Sequence, residues 1–110
     1  MLYNTVMDTD KLSQNIRRRF DHNQAKRVLR EKYQAKMLFA FSGGLWCAGP
    51  ELITNCNLCV AHGHFSTVLL DTHGNPIKVD ALELKTQALQ RWQEQMNAWH
   101  AEHEELRKQR

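Results

Sequence analysis

From Leu12 onward, apolar residues return at every fourth position, at Ile16 and Phe20, and after a small shift of phase at Ala25, Val28, Leu29 and Tyr33. A helix turns once in about 3.6 residues, so this spacing gathers them along one side of a helix from Asp10 to Lys36. Asp21 with Gln24 has the form of a capping box, so either one helix carries a polar patch there or a second begins at Asp21. The pattern then changes period. Met37 to Phe41 and Leu45 to Ala48 flank Ser42-Gly43-Gly44, which predicts a β-hairpin. Gly49-Pro50-Glu51 suits a helix start, and a short helix is expected to run to about Cys56 or Cys59. Phe65 to Leu70 and Ile77 to Val79 read as a second hairpin around the turn-forming stretch 71–76, with Pro76 at a strand start or on an edge.

The C-terminal pattern is the longest. Asp80 with Glu83 forms a capping box, Val79 with Leu84 a hydrophobic staple, and no glycine or proline follows up to Lys108. Two sets at seven-residue spacing stand out: Leu82, Leu89, Met96 and His103, and Lys85, Trp92, Trp99 and Leu106. Six of these eight positions are large and apolar, a seam that a second helix can fill. Such a helix is on the order of 40 Å long, more than two short hairpins can cover. The expected fold class is α+β: long N- and C-terminal helices flanking two β-hairpins that form a small antiparallel sheet. At 110 residues this is a single domain. Its parts are a candidate disordered lead (1–9), a basic helical segment (10–36), two hairpins with a short helix between them (37–79) and a long amphipathic helix (80–109).

Charge changes the picture of the two ends. Residues 11–36 hold nine lysines and arginines against Asp21 and Glu31, whereas all four charges within 94–105 are acidic. The two regions either attract one another or face separate partners. Arg17, Arg18, Arg19, Lys26, Arg27 and Arg30 supply the field that phosphate binding requires, although no helix-turn-helix, RNA-binding or zinc-finger motif accompanies them. No apolar run approaches membrane-spanning length and no leader pattern is present. Three cysteines are too few for a disulfide framework and point to a reducing, cytoplasmic setting.

Candidate chemistry is sparse. Cys56-x-x-Cys59 followed by His62 and His64 has zinc-ligand residue types, but no second ligand pair lies at zinc-finger distance. Small buried residues on one side of a helix explain the two cysteines as well. His100, His103 and Glu104 lack the His-Glu-x-x-His order and suit a solvated helix face. No nucleophile elbow or phosphate loop occurs. The expectation is a protein that is not an enzyme and carries no cofactor.

The stretch Leu69-Leu70-Asp71-Thr72-His73-Gly74-Asn75-Pro76-Ile77-Lys78-Val79, leading into a helix with Met96-Asn97-Ala98-Trp99-His100, resembles small accessory and virion proteins of large tailed bacteriophages. The resemblance covers about 30 residues of the chain and implies a role in the particle or its assembly, in host cytoplasm and virion. It transfers no functional residues. The leading expectation is a structural or assembly protein that binds itself or larger proteins through its terminal helices, with Leu89, Trp92, Met96, Trp99 and Leu106 as contact residues. The alternative is a nucleic-acid-binding or transcription-modulating protein that uses the basic N-terminal helix.

Overall fold

The computed structural model describes residues 2–109, with side chains from Thr9 onward. Neither glycine nor proline occurs between Leu2 and Lys36, and nothing in that run stops a helix once it has started. Accordingly one helix, α1, spans Leu2–Lys36, starting earlier than the apolar spacing suggests and passing Asp21 without a break. The Asp21-Gln24 pattern is therefore a polar patch on a continuous helix. Two strands follow, β1 (Leu38–Phe41) and β2 (Gly44–Cys47), then α2 (Pro50–Ala61), β3 (Ser66–Leu70), β4 (Pro76–Asp80) and α3 (Ala81–Lys108).

The α+β layout is the expected one. The strands, however, form two separate two-stranded antiparallel sheets, β1 with β2 and β3 with β4, in place of a single sheet. In the first, Ser42 and Gly43 both take the left-handed conformation and close a two-residue turn between Phe41 and Gly44, the geometry that matches strand twist. Pro76 opens β4 opposite Leu70, where its missing N–H costs least.

A carboxylate joins the two hairpins. Asp71 follows β3 and is buried, yet both its oxygens are occupied. Oδ1 accepts the His73 and Asn75 N–H groups, and Oδ2 accepts the Leu45 N–H of the other hairpin at 3.1 Å. Beside it, the Thr72 N–H and hydroxyl both donate to the Leu45 carbonyl, at 2.8 and 3.0 Å. This close approach explains Gly44: a Cβ there would lie 3.2 Å from the Ile77 side chain and 3.3 Å from the Asp71 Cβ. Backbone donors hold the Asp71 pKa below its ordinary 3.8, the Asn75 N–H foremost, against the opposing effect of burial.

The core forms where both hairpins and α2 meet the first half of α3. Met37, Phe39, Trp46, Ala48, Cys56, Val79, Leu84 and Ala88 make up its buried cluster. Trp46 satisfies its indole N–H on the Phe41 carbonyl at 2.9 Å, so a tryptophan can be enclosed without an unpaired donor. Asp80 caps α3 as expected, accepting the Glu83 N–H at 3.0 Å, and Val79 and Leu84 are both buried beside that cap.

The molecule is elongated, 76 × 25 × 21 Å. Its radius of gyration is 21.8 Å, against about 13 Å for a compact chain of this length.

The lowered Asp71 pKa carries a sign. Its stabilisation is fully present above the ordinary carboxylate range and is lost as pH falls through the lowered value. Acid titration of thermal unfolding should therefore show a steep decline below about pH 4. Asp71→Asn, which turns an amide N–H toward backbone donors, should melt lower at neutral pH and lose part of that acid dependence.

Candidate interaction site

α3 is one helix with two jobs, divided along a single seam. Positions 81, 85, 88, 92, 95, 99, 102 and 106 alternate four and three residues apart, so they share one face. In the first half the seam carries Ala81 and Ala88, with Leu84 beside them, all fully buried. Their small side chains let α2 and the hairpins approach closely. In the second half the same face turns to α1, which runs antiparallel to it.

The α1–α3 contact centres on Tyr33. Its buried ring lies parallel to Trp99, with centroids 6.0 Å apart and planes 7° off parallel. Its hydroxyl donates to Glu102 at 2.7 Å, and the Lys32 ammonium reaches the same carboxylate oxygen at 2.7 Å. Lys32 and then Tyr33 hold the Glu102 carboxyl below its ordinary range, while Glu102 raises both partners. Lys32 and Lys36 also stand over the Tyr33 ring, at 5.2 and 5.3 Å from its centroid. At the other end of the contact, Arg91 donates to the Lys36 carbonyl at 3.2 Å, occupying an acceptor that the end of α1 leaves open.

Of the residues expected as contacts, Trp92, Trp99 and Leu106 lie on this seam and are partly covered by the chain itself. Leu89 and Met96 belong to the companion set, which lies to the side of the seam: Leu89 is half-buried, while Met96 and Leu82 are exposed. Within the chain, the seam's other set holds alanine in the core half and Gln95 and Glu102 in the α1 half, Glu102 bonded to Lys32 and Tyr33.

Met96 instead joins Trp92 and Trp99 along one wall of an open groove of about 590 Å³. Met37, Trp46 and Ala48 also line it, as does the start of α2 around Gly49, Pro50 and Leu52. All three tryptophans of the chain border this groove. Its titratable lining groups are Cys47, Glu51 and Asp71, the last already saturated by backbone donors.

The arm of α1 is the second surface. The row of α1 residues beside α3 runs back from Tyr33 through Leu29 and Ala25 to His22, and Arg18, Arg19 and Ala25 border a crevice with Leu106 and Gln109 at the end of α3. Beyond that point, among the described residues, α1 runs past the end of α3 at Lys108. Leu12, Ile16 and Phe20 on this arm are 59%, 58% and 64% exposed. They do not continue the row that faces α3, which extrapolates through Arg18 to Asn15; they form a separate apolar face.

The six basic residues Arg17, Arg18, Arg19, Lys26, Arg27 and Arg30 are all exposed, and none makes an ion pair among the described residues. Consecutive helical residues point about 100° apart, so Arg18, Arg19, Lys26 and Arg30 share one side of the helix, while Arg17 and Arg27 point away from it. The acids of α3, by contrast, are already engaged: Glu102 with Lys32, Glu104 with Arg107 and His100, Glu105 with Lys108. Among the described residues, the ion pair that joins the two charged ends is Lys32–Glu102.

The cysteine-histidine motif has a structural explanation. Gly63 takes a left-handed conformation just past α2; its N–H donates to the Val60 carbonyl and the His64 N–H to Cys59, at 3.0 and 2.7 Å. These two bonds are the Schellman termination of a helix, so His62-Gly63-His64 is where α2 ends. Cys56 is enclosed in the core; burial first, then neighbouring Cys59, pushes its thiol up to about 11, with Lys85 pulling slightly the other way. Among the described residues, Cys56, Cys59, His62 and His64 are not gathered into a metal-holding group.

No helix among the described residues is long and apolar enough to cross a membrane. No family model matches the chain, and no curated protein or solved structure matches it.

Two measurements check this partition. Leu84→Ala should cost about 2–5 kcal/mol in denaturant unfolding, whereas Leu12→Ala on the arm should change stability by no more than about 0.5 kcal/mol. In thiol titration at neutral pH, exposed Cys47 should react first and Cys56 last, and Cys56 should become reactive only as the chain unfolds.

Proposed function

We propose that this chain is a non-enzymatic assembly protein that uses its terminal helices to hold other macromolecules, with the core serving as the mount for α1. The observation that carries this reading is the arm: three large apolar side chains, each more than half exposed, on a helix that has outrun its intramolecular partner. A lone exposed leucine is ordinary, but three in a row at four-residue spacing form a contiguous strip of the kind that helix-in-groove recognition uses. The aromatic groove beside Trp92, Met96 and Trp99 offers a second contact on the same body, with wide apolar side chains of low conformational cost.

The resemblance of the second hairpin and the Trp-rich helix to phage accessory proteins agrees with such a role and suggests a virion or its assembly as the setting. In this reading the partner is a larger assembly protein or a second copy of the chain. The nucleic-acid reading rests on the unpaired arginines. Arg18, Arg19, Lys26 and Arg30 share one side of the helix, as phosphate binding requires, but that reading leaves the apolar strip without a purpose.

Site-specific photo-cross-linking in the native host tests the proposal. A photoreactive residue at Ile16 should give discrete protein adducts, as should one at Met96 if the groove takes part. The same residue at Gln87, on an exposed face of α3 away from both, should give none. Equal labelling at all three positions, or adducts to nucleic acid alone from Ile16, would contradict it.

A further inference from the structure

Resting on that reading, we infer that the arm of α1 docks an acidic amphipathic helix, one with an apolar row bordered by glutamate or aspartate. Three features of the arm select this partner. First, Leu12, Ile16 and Phe20 lie four residues apart over more than two turns, which matches the i, i+4 row of a second helix and not the periodicity of a strand. Each is open to solvent along its length, so a helix can lie against them without displacing any part of the fold.

Second, the strip is embedded in uncompensated positive charge. Between residues 10 and 30, seven lysines and arginines stand against Asp10 and Asp21, a net charge of +5. By helix phase Arg19, Lys26 and Arg30 border one edge of the apolar row, with Arg18 and Lys11 behind them, while on the other edge Arg17 stands between Asp10 and Asp21. A helix seated on the row would meet positive charge along one of its edges, where acidic residues gain from pairing and basic ones are repelled.

Third, the chain does not satisfy this charge itself. Glu102, Glu104 and Glu105 are the acids nearest the arm along α3, and each is already held by a cation of the body or of α3. A second copy pairing arm to arm would bring +5 against +5, so self-association through this face is opposed by the same charge that favours an acidic partner. Nucleic acid would answer the charge but not the apolar row, since phosphate contacts need no Leu12, Ile16 or Phe20. Only an acidic helix with an apolar face uses both features.

The test uses the full chain and four fluorescently labelled probes, read by anisotropy. The first probe is a synthetic peptide of about five helical turns, with leucines at four- and three-residue spacing and glutamates beside them. The second has the same composition in scrambled order, the third replaces glutamate by lysine, and the fourth is duplex DNA. The amphipathic acidic peptide should bind about tenfold or more tighter than the scrambled one, and more weakly as added salt screens the flanking charges. Phe20→Ser and Ile16→Ser should each weaken it about tenfold, while Leu82→Ser, an exposed apolar residue on the far part of α3, should leave it unchanged. The lysine peptide should not bind.

Equal affinity for the scrambled peptide, or tighter binding of duplex DNA that Phe20→Ser leaves intact, would overturn the inference in favour of charge alone. Concentration-dependent doubling of mass that Phe20→Ser abolishes would overturn it in favour of a second copy. Failure of the acidic peptide to bind, while Ile16 still cross-links protein in the host, would remove the partner's chemistry and leave the assembly role standing.

Discussion

Everything outside the core depends on a mismatch of length between two antiparallel helices. α1 has 35 residues and α3 has 28, and the first part of α3 is already committed to α2 and the hairpins. Only the half from Arg91 to Gln109 is left for α1. The pair is fastened by Tyr33 stacked on Trp99 and bonded to Glu102, and it runs out where α3 ends beside Ala25 and Arg18. Among the described residues the rest of α1 has no partner helix, and the molecule is elongated as a result.

The same division governs the electrostatics. On the body, several charges are engaged at short range: Lys32 with Glu102, Arg107 with Glu104, and buried Asp71 with three backbone donors in place of a cation. The two exposed ion pairs add little to stability and chiefly fix geometry. On the arm the cations are left open. A field of one sign on an extended helix keeps copies of the chain apart and draws opposite charge from a distance, affecting encounter rate and selectivity more than final affinity.

Much of the fold was legible because local signals agreed. Ser42-Gly43, Pro76, the Asp80 cap and the Gly49-Pro50 start each specify one backbone geometry, and each sits where that geometry is required. What pattern reading missed was decided by contacts distant in sequence. The α3 seam includes Ala81, Ala88, Gln95 and Glu102, residues whose burial depends on what approaches them, and no run of large apolar residues marks it in the sequence. The two sheets stay separate because Asp71 and Thr72 attach the second hairpin to β2 through a loop, a join that no strand pattern announces. Cys56-x-x-Cys59 with His62 and His64 has ligand residue types, but Gly63 ends α2 between the histidines and Cys56 lies in the core. Spacing alone places Leu12, Ile16 and Phe20 in one stripe with Leu29 and Tyr33; the helix phase and the packing of α3 divide it into two surfaces.

Amide hydrogen exchange measured along α1 tests the account most directly. An arm without tertiary cover should exchange at the rate of a marginal isolated helix, far faster than residues 29–36 beside Trp99. Its amides should become protected when the acidic amphipathic helix is added. Protection of residues 9–20 equal to that of 29–36 in the free chain would mean the arm is already packed, and the central claim would fall.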